Sequence, residues 1–147
     1  MLRPVRRLLS LPWVERWRLF QAFLGLPLAA AGVRLLGLKR VLGLLARLPA
    51  RDASDSRAAR ARYLLGVAAT HGPYRGNCLS QSLTLLWLLR SQGLTGELRI
   101  GVRKEAGRLL AHAWVEHRGK PLNAGPQVYL IFPPFDRAIV PAGVRWS

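Results

Sequence analysis

Between Asn77 and His117 the apolar residues change period, and that change dictates much of what the chain can fold into. The ridges Leu79, Leu83, Leu86 and Cys78, Leu85, Leu89 recur at helical steps, the pattern of a buried helix. After Gly93 the period falls to two. Leu98, Ile100 and Val102 share one face of a strand, with Glu97, Arg99 and Gly101 on the other. Residues 104–108 turn the chain, and residues 109–117 alternate again, placing Leu110, His112, Trp114 and Glu116 on one side and Ala111, Ala113 and Val115 on the other. This order predicts an α+β core: a helix with a cysteine at its N-terminus, followed by two strands joined by a turn.

The helix starts at a chemically loaded point. Cys78 is the single cysteine of the chain, set in Gly76-Asn77-Cys78-Leu79-Ser80-Gln81-Ser82. With Asn77 as the N-cap, Cys78 takes the first helical position, where backbone N–H groups and the positive end of the helix dipole favour an anion. The helix is expected to run to about Gln92, with Gly93 as its C′ residue. A thiol attacks carbonyl carbon as the thiolate and needs an imidazole to carry protons. His112 lies 34 residues on, within Ala111-His112-Ala113-Trp114-Val115-Glu116. The competing reading makes Cys78 a small buried hydrophobe and His112 a structural histidine, and spacing alone does not separate the two.

At 147 residues the chain is long enough for one modest domain with its own core. One cysteine excludes an intramolecular disulfide, and with His71, His112 and His117 as the only histidines no metal-ligand cluster of recognisable spacing exists. The chain is expected to need no cofactor and no metal. Net charge is +16, from 23 Lys and Arg against 7 Asp and Glu. Nucleic acid, an anionic membrane surface or an acidic peptide would each match that sign. Most arginines stand singly among leucines and alanines, and no phosphate loop, ribonucleoprotein motif or zinc finger accompanies them, so no nucleic-acid partner is expected.

Residues 1–50 form a leucine- and arginine-rich extension with Glu15 as its one acid. Trp13, Trp17, Phe20 and Leu24, then Leu35, Leu38, Leu42 and Leu45, recur at three- to four-residue intervals, predicting two amphipathic helices broken around Gly25-Leu26-Pro27. The apolar run from Ala22 to Arg34 is shorter than the ~20 residues a bilayer span needs, so a packed helical subdomain is expected, with peripheral contact to anionic lipid as the alternative. Residues 49–57 read as a linker, after which Ser54 or Ser56 caps a helix carrying Tyr63, Leu64 and Val67 and ending at His71-Gly72-Pro73. The second unit, residues 51–147, holds the cysteine and the histidine.

Together, Asn77-Cys78-Leu79-Ser80-Gln81-Ser82-Leu83, Leu98-Arg99-Ile100-Gly101-Val102, and Ala111-His112-Ala113-Trp114-Val115-Glu116 resemble the transglutaminase-like leader peptidases of lasso peptide biosynthesis, the B2 proteins. The leucine- and arginine-rich opening, including Leu35-Leu36-Gly37-Leu38-Lys39-Arg40, is similar to the N-terminal part of these enzymes, so the resemblance covers nearly the whole chain. It implies a papain-like core and a cytoplasmic cysteine peptidase that separates leader from core in a ribosomally made lasso precursor. It further implies a leader-binding B1 protein that presents the substrate, and an asparagine-synthetase-like cyclase that closes the macrolactam. Cys78 would be the nucleophile and His112 the base, with the backbone N–H of Cys78 in the oxyanion hole and Gln81 as a further candidate there.

The family places an aspartate about a dozen residues after the histidine, and here that position is Ala124. Asn123 is the expected third member, since papain-like enzymes accept an asparagine. Its reach depends on the hairpin. A two-residue turn at Arg118-Gly119 pairs His117 with Lys120 and sets Asn123 diagonal to His112. A three-residue loop pairs Glu116 with Lys120 and is favoured by the turn chemistry, because arginine resists positive φ. Glu116 is ~13 Å along the strand from His112, too far to orient it, and Asp136 would need a fold-back. Trp114 is expected to wall the cleft or fill the core, and His71 and His117 to sit in solvated turns. Replacement of the aspartate by Ala124 also suits a catalytically impaired scaffold that docks leader or cyclase.

Overall fold

The computed structural model describes residue 7, residues 9–125 and 127–133, and the backbone of residues 145 and 146. Ahead of the sheet the described residues include the helices α1 (Trp13–Leu36), α2 (Leu38–Ala46), α3 (Asp55–His71) and α4 (Cys78–Arg90). Then come β1 (Glu97–Glu105), β2 (Arg108–His117), the short β3 (Lys120–Pro121), a single turn of helix α5 (Val128–Ile131), and β4 (Arg145–Trp146). Strands β1, β2 and β3 are antiparallel in that order, and β4 runs parallel beside Leu110 and Ala111 of β2. This is the expected α+β arrangement.

The helix α4 lies at the centre because it is apolar all round. Leu79, Leu83, Leu85, Leu86, Leu88 and Leu89 are all buried. One side of α4 joins Leu19, Ala22 and Leu26 of α1 and Ala58, Ala61, Leu64, Leu65 and Ala68 of α3 in a single core that reaches Val115 of β2. The other side, near the N-terminus of α4, joins Ile100 and Ala113 of the sheet. Two devices seat the neighbouring helices. A Cβ on Gly25 would stand 2.7 Å from Cγ2 of Thr84 and 3.2 Å from the Trp87 ring, so glycine here permits close approach of α1 to α4. Arg60 of α3 donates both its Nε and Nη2 hydrogen bonds to Glu15 of α1 at 2.7 Å, a forked pair that holds the Glu15 carboxyl below its ordinary range.

The expected break at Gly25-Leu26-Pro27 is absent. Helix α1 runs through it for 24 residues and stops at Gly37, whose φ is +84°. Tertiary packing overrides local propensity: Ala22 and Leu26 are fully buried while Pro27 lies on the exposed side, so the helix is held across the proline by its contacts. As a continuous element α1 is also long and apolar enough to cross a membrane by length and composition, contrary to the shorter run read from the sequence.

The remaining landmarks are local. Ser54 caps α3 by accepting from the Arg57 N–H, and α3 ends at His71. The segment before it is stitched to the far end of α4 by hydrogen bonds from the Arg51 and Asp52 N–H groups to the Gly93 carbonyl. Gly93 has φ +75°, as the C-terminal stop requires. At the second hairpin the two-residue turn prevails. His117 pairs with Lys120 and Glu116 with Pro121, with Arg118 at φ 53° and Gly119 at φ 75°. The unfavourable arginine conformation is offset by tertiary contacts: Arg118 donates to Asp55 at 3.2 Å, and His117 is buried with Nδ1 2.7 Å from the Thr95 carbonyl. His117 is therefore an anchor between β2 and the loop before β1, and not a solvated turn residue. His71 is exposed at the end of α3.

Candidate active site

Cys78 opens α4 because its flanks leave the chain no other choice. Asn77 accepts the Ser80 N–H at 2.9 Å while Ser80 Oγ accepts the Asn77 N–H at 3.0 Å, a reciprocal capping box. Gly76 precedes it at φ +74°, and a Cβ there would come within 2.5 Å of Ser80 Oγ. Gln81 donates its amide to the Arg75 carbonyl at 3.1 Å, which fastens the approach loop to the first turn. Cys78 is 9 % exposed and belongs to the cluster that holds Leu79, Leu83, Ile100 and Ala113.

That cluster links the cysteine to the histidine strand, since Ala113 is the neighbour of His112. A second link lies one turn further along α4. Ser82, fully buried, donates to the Ala113 carbonyl at 3.0 Å and accepts from Asn123 Nδ2 at 2.9 Å; Asn123 Oδ1 in turn accepts the Val115 N–H at 2.8 Å. The ladder with β2 ends at Pro121, and the chain then turns so that the Asn123 carboxamide closes a clasp between the second turn of α4 and the middle of β2. Ala124 follows, half-buried. Asp136 lies outside the described residues.

His112 is half-buried on the opposite side of β2 from Ala113. Its ring stacks on Phe132 at 5.2 Å between centroids and on Trp114 at 6.1 Å. Desolvation lowers its pKa below the ordinary histidine value. Phe132 reaches the ring because Gly101 pairs with His112 across the sheet: a Cβ on Gly101 would stand 2.5 Å from the Phe132 carbonyl oxygen. The Arg103 guanidinium lies over the Phe132 ring, 5.0 Å from its centroid.

Farther along the same face, Glu116 is buried and accepts from Arg99 Nε and Trp114 Nε1, each at 3.3 Å, and from the Tyr129 hydroxyl. Tyr129 meets Trp114 edge-on at 5.8 Å, and burial, followed by its bond to Glu116, raises the phenol pKa. Trp114 is fully buried, and its ring stacks with that of the histidine.

Sequence reasoning passed over three of these residues. Ser82 reads as an ordinary first-turn residue, although its place three after Leu79 and four before Leu86 sets a hydroxyl on a buried ridge. Phe132 and Tyr129 carry no periodic signal, because a single helical turn is too short to show one. Among the described residues no group of histidine, cysteine and acidic side chains could hold a metal ion.

No curated protein and no solved structure matches the chain significantly. The family model of the transglutaminase-like superfamily matches residues 20–134, a span that begins in α1, contains Cys78, His112 and Asn123, and ends just after Phe132. With a capped cysteine at the start of a central helix, an antiparallel sheet against it and a histidine on the second strand, the chain belongs to the transglutaminase-like superfamily.

Proposed function

We propose that the protein is a cysteine peptidase that cuts the leader from a ribosomally made lasso precursor, so that a separate cyclase can close the macrolactam. What supports a thiol peptidase most is the capped Cys78 at the start of a helix clasped to the strand that carries His112, with Ser82 donating at 3.0 Å to the Ala113 carbonyl; the lasso precursor as substrate is carried by the sequence resemblance. In this reading the thiol proton passes to His112 as the sulfur bonds to the scissile carbonyl carbon. His112 then protonates the leaving amine and the C–N bond breaks. Water adds to the thioester with its proton going to His112, and the C–S bond breaks to restore the thiol. The Cys78 N–H is the proposed oxyanion donor.

The lowered pKa of His112 suits this role, because a general base must be neutral at the working pH. Asn123 is proposed as a positioning residue that fixes the distance between α4 and β2. Phe132 and Trp114 hold the imidazole plane. The leader-binding B1 protein, the asparagine-synthetase-like cyclase and a cytoplasmic setting belong to the same proposal.

The test is cleavage of a precursor peptide in the presence of its leader-binding partner, followed by mass spectrometry. The parent is expected to release the core, and Cys78→Ala and His112→Ala to leave the precursor intact while keeping the parent's circular dichroism. Cleavage that survives Cys78→Ala would overturn the thiol mechanism. A parent that binds leader but never cuts it would instead favour the docking scaffold.

A further inference from the structure

Helix α1 has two apolar faces, and the protein uses one of them. Leu19, Ala22, Gly25 and Leu26 point into the core. On the other side Trp13, Trp17, Phe20, Leu24, Leu28 and Leu35 are all exposed, Trp13 at 78 % and Leu35 at 83 %. Their steps of three, four and seven residues keep them within about a quarter of the helix circumference, in a stripe about 33 Å long. Isolated exposed leucines need no explanation, but a continuous stripe with three aromatic rings does. Trp17 and Phe20 contact each other at 5.8 Å, so the aromatic end is one surface.

The charge around the stripe says what covers it. Residues 13–48 carry six basic side chains (Arg16, Arg18, Arg34, Lys39, Arg40 and Arg47) and one acid, Glu15, which is held by Arg60. Arg16 and Arg34 are exposed and lie along one border of the stripe, one near each end, with Lys39 and Arg40 exposed at the start of α2. An aromatic and leucine face bordered by arginines, on a chain of net charge +16, has the composition of a helix that lies in the plane of an anionic bilayer surface. The arginine stems can extend along apolar surface with their heads among phosphates.

We infer that α1 is a membrane-surface anchor: its exposed stripe enters the headgroup and acyl boundary of an anionic bilayer while its inner face stays packed on α4. This does not depend on the chemistry of Cys78.

The test is sedimentation of the full chain with vesicles of phosphatidylcholine alone and of phosphatidylcholine containing one-third phosphatidylglycerol. Binding is expected to the anionic vesicles, to weaken in high salt, and to fall at least about tenfold in Trp17→Glu/Leu24→Glu, where two apolar insertions are lost. Arg16→Gln/Arg34→Gln is expected to lose a smaller part, on anionic vesicles only. The parent alone gives a second reading: brominated acyl chains should quench the fluorescence of Trp13 and Trp17. A parent that stays in the supernatant, lacks quenching, or binds equally well as Trp17→Glu/Leu24→Glu overturns the inference. So does a dimer, seen by light scattering without vesicles, that the same double substitution splits; the stripe would then seat a second copy.

Discussion

The helices α1 and α4 are built from similar apolar sequence and meet opposite fates. Helix α4 is covered by α1 and α3 on one side and by the sheet on the other, and its hydroxyls are each satisfied inside: Ser80 in the cap, Ser82 on Ala113, Thr84 on the Ser80 carbonyl. Helix α1 is covered on one side only, and its Trp and Leu stripe remains in contact with the surroundings. The difference teaches that apolar periodicity marks a face that needs a partner without saying that the partner lies within the same chain.

The largest way to break this comparison is truncation on both helices. Leu85→Ala, at a fully buried site of α4, is expected to lower unfolding free energy by about 2–5 kcal/mol. Leu28→Ala, at an exposed site of α1, is expected to stay within about 0.5 kcal/mol. Urea titration of both variants reads the contrast, and equal losses would mean that the stripe is buried in solution.

A somewhat smaller effect is expected where the helices touch. Gly25→Val puts carbon against Thr84 and Trp87 and should lose about 1–3 kcal/mol by overpacking, detected as a lower melting temperature. Gly43→Ala, where nothing lies within 4 Å of the added carbon, is the matched control and should be neutral or slightly stabilising.

Asn123→Ala removes the hydrogen bond that Ser82 Oγ accepts and the side-chain acceptor of the Val115 N–H, while Ser82 still donates to Ala113, so a loss of about 1–3 kcal/mol is expected. If Asn123 positions the two catalytic elements, kcat should fall while KM holds, and Asn123→Asp should restore less than the wild-type clasp because a carboxylate cannot donate to Ser82. A stability loss with unchanged kcat would make the clasp purely structural.

The smallest expected effect is on pH dependence. Burial lowers the His112 pKa, so between its ordinary value and its lowered folded value the unfolded chain binds the proton more readily. Stability is therefore lost as pH falls through that window and is unaffected above it. The parent should lose more stability than His112→Gln between pH 7.5 and pH 5, and the acid limb of kcat/KM should fall below pH 6.5, the ordinary histidine value.

Much of the site could be read from local chemistry. The Asn77 cap, the start of α4 at Cys78, the stop at Gly93 and the alternation that puts His112, Trp114 and Glu116 on one face each follow from a few neighbouring residues. Features set by distant partners were not readable. Pro27 announces a break that buried Ala22 and Leu26 suppress. Arg118 announces a three-residue loop that its contact with Asp55 and the burial of His117 overrule. Asn123 is visible as a polar residue near the right place, but its bonds to Ser82 and Val115 depend on where the strand ends.

By itself, the sequence determined the helix-then-hairpin order, the capped thiol and the strand-borne histidine, because capping, turn chemistry and side-chain period act over fewer than about five residues. Only the tertiary structure decided that α1 is continuous, that Ser82 and Asn123 clasp the thiol helix to the histidine strand, and that Phe132 lies over His112 in the space Gly101 leaves. Each of these arises from contacts between residues far apart in the chain, where burial and steric fit outweigh local preference.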